Sequence, residues 1–136
     1  MRHKKEGFQF NRTAAHRRAL LRNLCRSLVR HERIETTQTK AKALKAFADS
    51  LFAKARASDT VAQRAVFAEL GDKKVVKKFF EVVLPRYDER TGGFVRIIHR
   101  GHRRGDGAPV CYVELCEMGE DFAKPRVIKL KKKITQ

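Results

Sequence analysis

The chain of 136 residues carries 32 Lys and Arg against 15 Asp and Glu, a net charge of +17, and 42% of its residues are hydrophobic. This length and apolar content suit one folded domain and exclude a purely disordered polycation. No stretch approaches the ~18 apolar residues of a membrane span. The charged start lacks the apolar region of a secretory signal, and three cysteines without CxxC spacing argue against a disulfide framework and favour a cytoplasmic protein.

The positive charge is concentrated at three places in the chain. Residues 1–33 contribute +8, residues 96–107 contribute +3 and residues 118–136 contribute +4, whereas the longer middle, 34–93, adds only +4. Self-repulsion of this size destabilises an isolated fold and favours a polyanionic partner. Nucleic acid is the leading candidate, because cations that neutralise phosphates release condensed counterions.

The chain begins with a basic arm, residues 1–11, which shows neither helical nor strand periodicity. Its Phe8 and Phe10 could stack on unpaired bases, although packing of Phe10 against the domain is the preferred interpretation. Asn11 or Thr13 can cap a helix that runs to about His31.

This first helix carries the most informative pattern of the sequence. Its apolar stripe at i, i+4, i+8 consists of Leu20, Leu24 and Leu28. Arginines recur at every fourth position on what we expect to be the opposite side of the helix, about 6 Å apart. Glu32 is the only acid between Arg12 and Arg33, so the mixed-sign pairing of a solvated helix is missing. We therefore predict a phosphate-binding face and name these residues the arginine ladder: Arg18, Arg22, Arg26 and Arg30. Arg17 falls nearer the apolar stripe.

The remaining predicted elements complete an α+β pattern of helix, strand, three helices and β-hairpin. They are a short strand (34–37), a helix capped by Thr39, a helix opened by Ser58 or Asp59 and stopped by Gly71, a helix opened by Asp72 and halted by Pro85, and two strands (94–99 and 110–117). Along the last strand, alternation places Cys111, Val113 and Leu115 on one face and Tyr112, Glu114 and Cys116 on the other.

The loop between the last two strands, residues 100–109, is the third basic site. Its glycines permit close approach of the backbone to a phosphate, and Arg100, Arg103 and Arg104 favour such a contact over the plain turn that Asp106-Gly107 would also explain.

Signals typical of enzymes are incomplete. His31-Glu32 begins like a zinc-protease helix, but Glu35 stands where the second His belongs. His99 and His102 precede Cys111 and Cys116 at spacings that match no zinc template, and no activating third group accompanies a Cys–His pair. The sequence thus predicts no catalysis, cofactor or metal.

Several short motifs resemble the bacterial large-subunit ribosomal protein seventeen family over about residues 1–117. In chain order they are Met1-Arg2-His3, Asn11-Arg12, 16–24 (HRRALLRNL), 27–32 (SLVRHE), 34–37 (IETT), 40–42 (KAK), 92–97 (GGFVRI), Arg103 with Gly105-Asp106, 108–109 (AP) and 112–115 (YVEL). The chain departs from the family pattern at Phe8 and Gln9, where members carry bases, and in a Lys-rich extension, 118–136, beyond the single domain of residues 1–117.

The resemblance implies a non-enzymatic constituent of the large ribosomal subunit that binds 23S ribosomal RNA as one copy per ribosome. It implies helices over a small three-stranded mixed sheet in two layers, a neighbouring protein such as large-subunit protein thirty-two, and no membrane, DNA or homo-oligomer. The match to the family's own start leaves no room for an organelle presequence. The predicted RNA-binding residues are Arg2, His3, Lys4, Lys5, Asn11, Arg12, His16, Arg17, Arg18, Arg22, Asn23, Arg26, Arg30, Lys40, Lys42, Arg96, Arg100, Arg103 and Arg104.

Three other functions stay open at this point. A DNA-binding architectural protein would share the charge, but no helix-turn-helix with base-reading Asn or Gln is evident. A His-based ribonuclease and a basic interaction protein without a nucleic-acid role are the other two.

Overall fold

The structure is a computed structural model, which describes residues 7–119. The elements in chain order are α1 (Ala14–His31), β1 (Arg33–Thr37), α2 (Gln38–Ala55), α3 (Thr60–Leu70), α4 (Lys73–Lys78), a π-helical segment (Phe79–Val83), a 3-10 turn (Leu84–Tyr87), β2 (Val95–His102) and β3 (Pro109–Leu115). The predicted α+β order of helix, strand, three helices and hairpin is confirmed.

The sheet differs from the prediction in one respect, because every pairing in it is antiparallel rather than mixed. The strand order is β1-β3-β2, and β3 lies antiparallel to both neighbours. The short hairpin forces β2 and β3 to be antiparallel, and β1 joins the far side of β3. β1 and β2 therefore run in the same direction but never pair.

Helix termini follow the predicted capping chemistry in three cases out of four. Thr13 accepts from the backbone N–H of His16, Asp59 from that of Ala62, and Asp72 from those of Lys74 and Val75. The prediction that Thr39 caps the second helix was wrong: α2 begins at Gln38, and Thr37 is the cap residue, without a side-chain hydrogen bond.

The fourth helix also ends differently from the prediction. Instead of running to Pro85, the α-helix ends at Lys78, widens into a π-helical segment and closes with a 3-10 turn that includes Pro85. Proline is tolerated there because it stands in the first positions of the 3-10 turn, where its missing N–H has no partner to lose.

The core lies between the helices and one face of the sheet. Phe52 is its centre: its ring lies 4.9 Å from that of Phe79, 5.0 Å from Tyr87 and 4.8 Å from Phe94. Cys111, Val113 and Leu115 point from β3 into this core and are fully buried, as alternation predicts. Cys25 of α1 is also buried, and burial raises the pKa of its thiol to about 12.

Candidate nucleic-acid interface

The arginine ladder lies beside the buried face of α1 rather than opposite it. Cys25, Leu28 and Val29 are the buried residues of the helix, whereas Leu20 and Leu24 of the predicted stripe are only half-buried. The face that packs on the core is therefore rotated toward the arginines, and Arg22 and Arg26 are themselves half-buried.

Two members of the ladder bind backbone carbonyls at the end of α3. Nη2 of Arg22 donates to the Ala68 carbonyl at 3.0 Å, and Nε of Arg26 donates to the Leu70 carbonyl. The last carbonyls of a helix have no partner within the helix, and basic side chains can satisfy them. Arg22 and Arg26 thus supply the acceptors at the end of α3 with donors from another helix.

Arg30 extends the same arrangement to the start of α4. Its Nη2 lies 2.5 Å from Oδ2 of Asp72, the residue whose other carboxylate oxygen caps α4. Although desolvation opposes it, the hydrogen bonds from Val75, Lys74 and Arg30 lower the pKa of Asp72. We refer to residues 68–75 as the α3–α4 corner, which the ladder holds from one side.

Gly71 makes that close approach possible. It ends α3 in the left-handed conformation, with φ of +67°, and its N–H donates to the Phe67 carbonyl. A Cβ atom at this position would lie 2.9 Å from Nη2 of Arg26. Glycine at position 71 therefore suits both the left-handed backbone conformation and the close approach of the Arg26 side chain.

Arg96 belongs to a second group of cations, on the sheet face that points away from the core. Glu114 is the cross-strand partner of both Arg33 and Arg96, and its carboxylate is buried beneath them, 3.3 Å from Nε of Arg33. The hydrogen bond that Arg96 donates to the Glu114 carboxylate raises the pKa of Arg96. The guanidinium of Arg33 also lies 4.1 Å from the Tyr112 ring centroid. Sequence reasoning missed Arg33, because its position opposite Glu114 depends on the pairing of β1 with β3, two segments far apart in the sequence.

The third group surrounds the hairpin and the start of α2, and we call it the loop end: Lys40, Lys42, Arg100, Arg103 and Arg104. Strand register explains its assembly, because Thr37 pairs with Val110 and His102 pairs with Pro109. Toward the loop both hairpin strands run farther than predicted, so Arg100 lies in β2, where a bulge between His99 and Gly101 interrupts the register. At the other end β3 stops at Leu115 rather than at the predicted residue 117.

Two arginines of the loop end have exposed acidic partners. Arg100 lies 2.5 Å from Glu35 and Arg103 lies 2.5 Å from Asp106, with all four side chains between 41% and 55% exposed. The hydrogen bond from Arg103 lowers the pKa of Asp106 to about 2. Exposed ion pairs of this kind contribute little to stability and exchange readily with other anions. For Lys40, Lys42 and Arg104, no ion pair or side-chain hydrogen bond is present within residues 7–119.

The start of α1 holds the remaining predicted residues. Arg17 donates to the Gln9 side chain at 2.9 Å and to the Arg12 carbonyl at 3.4 Å, and Asn23 accepts from Arg26. Asn11, His16 and Arg18 are exposed, and Arg12 is half-buried. The predicted contacts of Arg2, His3, Lys4 and Lys5 lie outside the described residues.

Glu32 connects the end of α1 to the other end of the sheet. Its carboxylate is buried, 2.9 Å from Nη1 of Arg86 and 3.6 Å from Nζ of Lys78, and it accepts from the Gly119 N–H at 2.8 Å. Burial alone would raise the pKa of Glu32, but the hydrogen bonds from Arg86 and Gly119 lower it overall. This acid therefore makes structural contacts within the fold.

Other kinds of site are not apparent in the part of the chain that the structure describes. Among residues 7–119, no group of three His, Cys, Asp or Glu side chains is arranged to hold a metal ion. No helix within that range is long and apolar enough to cross a bilayer. The one Cys–His contact found there, between Cys111 and Nδ1 of His99 at 3.5 Å, involves a fully buried thiol.

These features define a small basic α+β protein whose cations form separate surface groups. A sequence model of the family described as Ribosomal protein L17 matches residues 20–116. The protein called large ribosomal subunit protein bL17 of Bacteroides fragilis is 43% identical over 129 residues, which cover 95% of this chain and 80% of that protein. The bL17 proteins of Bacteroides thetaiotaomicron and Phocaeicola vulgatus are also 43% identical over 129 residues, 95% of this chain and 79% and 80% of their own lengths.

The chain therefore belongs to the ribosomal protein L17 family. As the resemblance predicted, it is a structural constituent of the bacterial large ribosomal subunit, associated with ribosomal RNA and other ribosomal proteins, and it is not an enzyme. Its role in translation and its cytoplasmic location follow from membership in that family.

Proposed function

We propose that this protein binds and stabilises folded 23S ribosomal RNA mainly through the loop end and the start of α1. The observation that carries the proposal is the lack of own-chain acceptors, within residues 7–119, for the Lys40, Lys42, Arg104 and Arg18 side chains. Cations without internal partners are the ones whose charge is available to release counterions from phosphates.

The paired arginines take different parts in this proposal. Arg100 and Arg103 can exchange their exposed acids for phosphates at little cost in stability. Arg22 and Arg26, in contrast, hold backbone carbonyls and would lose those hydrogen bonds by turning toward RNA. We infer that their contribution to RNA binding is largely indirect, through the position of α1.

Structured RNA presents phosphates and a shallow groove more than readable base edges, so such a surface would recognise shape. The hairpin places its cations at the end of a rigid sheet, which favours insertion between RNA elements. The basic arm, the Lys-rich extension 118–136 and a contact with large-subunit protein thirty-two also belong to the proposal. The arm and the extension lie mainly outside the described residues.

A binding experiment with charge-matched variants tests the proposal. The combined variant Lys42→Gln and Arg104→Gln should lose retention on purified large subunits at a lower salt concentration than wild type, in sucrose-gradient sedimentation. The control variant Arg56→Gln and Lys74→Gln removes the same charge from exposed positions elsewhere and should behave like wild type.

Equal losses in both variants would mean that bulk charge rather than the loop end determines binding, and would overturn the proposal. The extension is tested in the same gradients by deleting residues 120–136. Unchanged salt resistance after that deletion would remove the extension from the RNA interface. Competition with duplex DNA of equal charge distinguishes the proposal from an architectural DNA-binding role, because shape-selective RNA binding should resist it.

A further inference from the structure

A groove between α3 and the α4–π segment is not used by the proposed RNA interface. It has a volume of about 480 Å³, which is within the range of ligand pockets. Its floor is apolar and is formed by Phe67 of α3, Val76 of α4 and Phe80 of the π-helical segment. Phe67 leaves 40% of its surface exposed, whereas the core aromatics Phe52, Phe79, Tyr87 and Phe94 are buried.

The floor of the groove is held in place by the core. Phe80 packs edge-to-face against the buried Phe79, with ring centroids 5.5 Å apart and an angle of 89° between the planes. The π-helical segment begins at Phe79, so the wider turn sets the direction of the Phe80 side chain. The arginine ladder fixes the α3–α4 corner from the other side. The groove is thereby preorganised, which lowers the entropic cost of binding.

The rim of the groove is basic. Arg64, Lys73 and Lys77 line it against a single acid, Glu81, which lies 4.0 Å from Lys77. Within the described part of the chain, neither Arg64 nor Lys73 has an ion pair or side-chain hydrogen bond. The rim thus carries an excess of two positive charges around an apolar floor.

We propose that this groove docks a protein segment that carries an apolar anchor side chain flanked by Asp or Glu. The floor accommodates the anchor, and the carboxylates meet Arg64, Lys73 and Lys77. An RNA strand fits less well, because its phosphates gain nothing from Val76 and the exposed part of Phe67 and would also meet Glu81. The proposal goes beyond RNA binding and does not depend on it, because the groove shares no residue with the loop end.

Site-specific photo-crosslinking of the full chain in assembled large subunits tests this proposal. A benzophenone side chain at position 67 should crosslink to a protein segment in which an aromatic or aliphatic residue lies within about two positions of Asp or Glu, on the spacing of helix-in-groove recognition. The control places the same probe at position 61, which is also exposed on α3 but lies outside the groove lining, and it should not yield that crosslink.

Three results would overturn the proposal. They are a crosslink from position 67 to RNA, a crosslink to a basic or wholly polar protein segment, and no difference between positions 67 and 61. Sedimentation of each probe-bearing variant is followed in parallel. A failure of the groove proposal with intact comigration therefore leaves the proposed RNA binding untouched.

A titration with the captured segment as a synthetic peptide gives a second, independent readout. Lys73→Glu combined with Lys77→Glu should weaken peptide binding about tenfold or more, which corresponds to ~1.4 kcal/mol. The control combination Lys45→Glu and Arg56→Glu changes the net charge equally, on α2 and at the residue that follows it, and should leave the affinity within about twofold, since distant charges are screened. Equal weakening in both variants would reduce the interaction to nonspecific charge and overturn the proposal. Circular dichroism confirms that the variants fold.

Discussion

The arginine ladder and the loop end contain the same kind of residue in opposite situations. Three of the four ladder arginines donate to acceptors of their own chain. Arg22 and Arg26 donate to backbone carbonyls, and Arg30 donates to the Asp72 carboxylate. Within residues 7–119, the loop end combines cations that have no ion pair or side-chain hydrogen bond with arginines whose ion-pair partners are exposed acids. The difference lies in what the acceptor is: a helix carbonyl needs its donor in the folded state, whereas an exposed carboxylate is equally well solvated by water.

The comparison teaches that a row of arginines on a helix has two physical explanations. A polyanion can bind it from outside, or the carbonyl end of a neighbouring helix can bind it from inside the fold. The polyanion and the helix end each present a line of oxygen atoms, so each favours positive charge at positions i, i+4 and i+8. In this protein the charge that stabilises the domain and the charge proposed to bind RNA are carried by different residues.

The largest expected effect separates the two regions by stability. Arg22→Met combined with Arg26→Met keeps the apolar stems but removes the donors to Ala68 and Leu70. We expect the free energy of unfolding in urea to fall by about 3 kcal/mol, since each hydrogen bond from a charged donor contributes roughly 1.5 kcal/mol. The control combination Arg18→Met and Arg56→Met should change it by less than about 0.5 kcal/mol. Equal changes would contradict a structural role of the ladder.

The second prediction concerns affinity at the loop end. Lys40→Gln, Lys42→Gln and Arg104→Gln together should weaken binding to a folded 23S fragment about 100-fold at 0.15 M salt, if each cation neutralises one phosphate. The slope of log affinity against log salt should become shallower by about 3. Filter binding across a salt series measures both quantities. A large fall in unfolding free energy in this variant would erase the distinction from the ladder.

The third prediction tests the close contact between the α3–α4 corner and the ladder. Gly71→Ala should lower the free energy of unfolding by about 1.5 kcal/mol, because alanine is strained in the left-handed conformation. Its Cβ would also lie 2.9 Å from Arg26. In a double-mutant cycle with Arg26→Ala, part of this loss should disappear, since the obstructing guanidinium is gone. Complete additivity would show that only backbone strain is involved.

Much of the fold could be predicted from the sequence, because local rules determine it. Asp59 and Gly71 are capping residues with few alternative roles, and alternation along β3 correctly assigned Cys111, Val113 and Leu115 to the core. The antiparallel order of the sheet could not be predicted from such rules. The order of the strands depends on β1 pairing with β3, which is about 75 residues away in the sequence. A pairing between such distant segments leaves no local sequence signature.

The site was harder to predict for a related reason. Spacing located the ladder on one edge of α1, but the acceptors at Ala68 and Leu70 are backbone atoms, which no side-chain pattern reveals. Gly71 followed by Asp72 predicts the end of one helix and the start of the next. This helix boundary was the sign, within the sequence, that backbone carbonyls at the end of α3 would need donors. Arg100, in contrast, has its partner in Glu35, 65 positions away in sequence, so only the sheet register brings the pair together.

The smallest effect we predict sharpens the comparison at the loop end itself. The pKa of Asp106 lies at about 2 instead of its ordinary value of 3.8. Because this pKa is lowered, the Arg103–Asp106 pair is fully formed above about pH 4 and is lost only as the pH falls through about 2. Asp106→Asn removes one repelling charge, so RNA affinity at neutral pH should rise by about fivefold, while urea stability at pH 7 stays nearly constant.

Asp72→Asn is the matching change at the ladder, where Asp72 both caps α4 and accepts from Arg30. It should leave RNA affinity unchanged and lower stability. A gain in affinity from Asp72→Asn, or none from Asp106→Asn, would mean that the two groups of cations are not divided between fold and partner as their acceptors indicate.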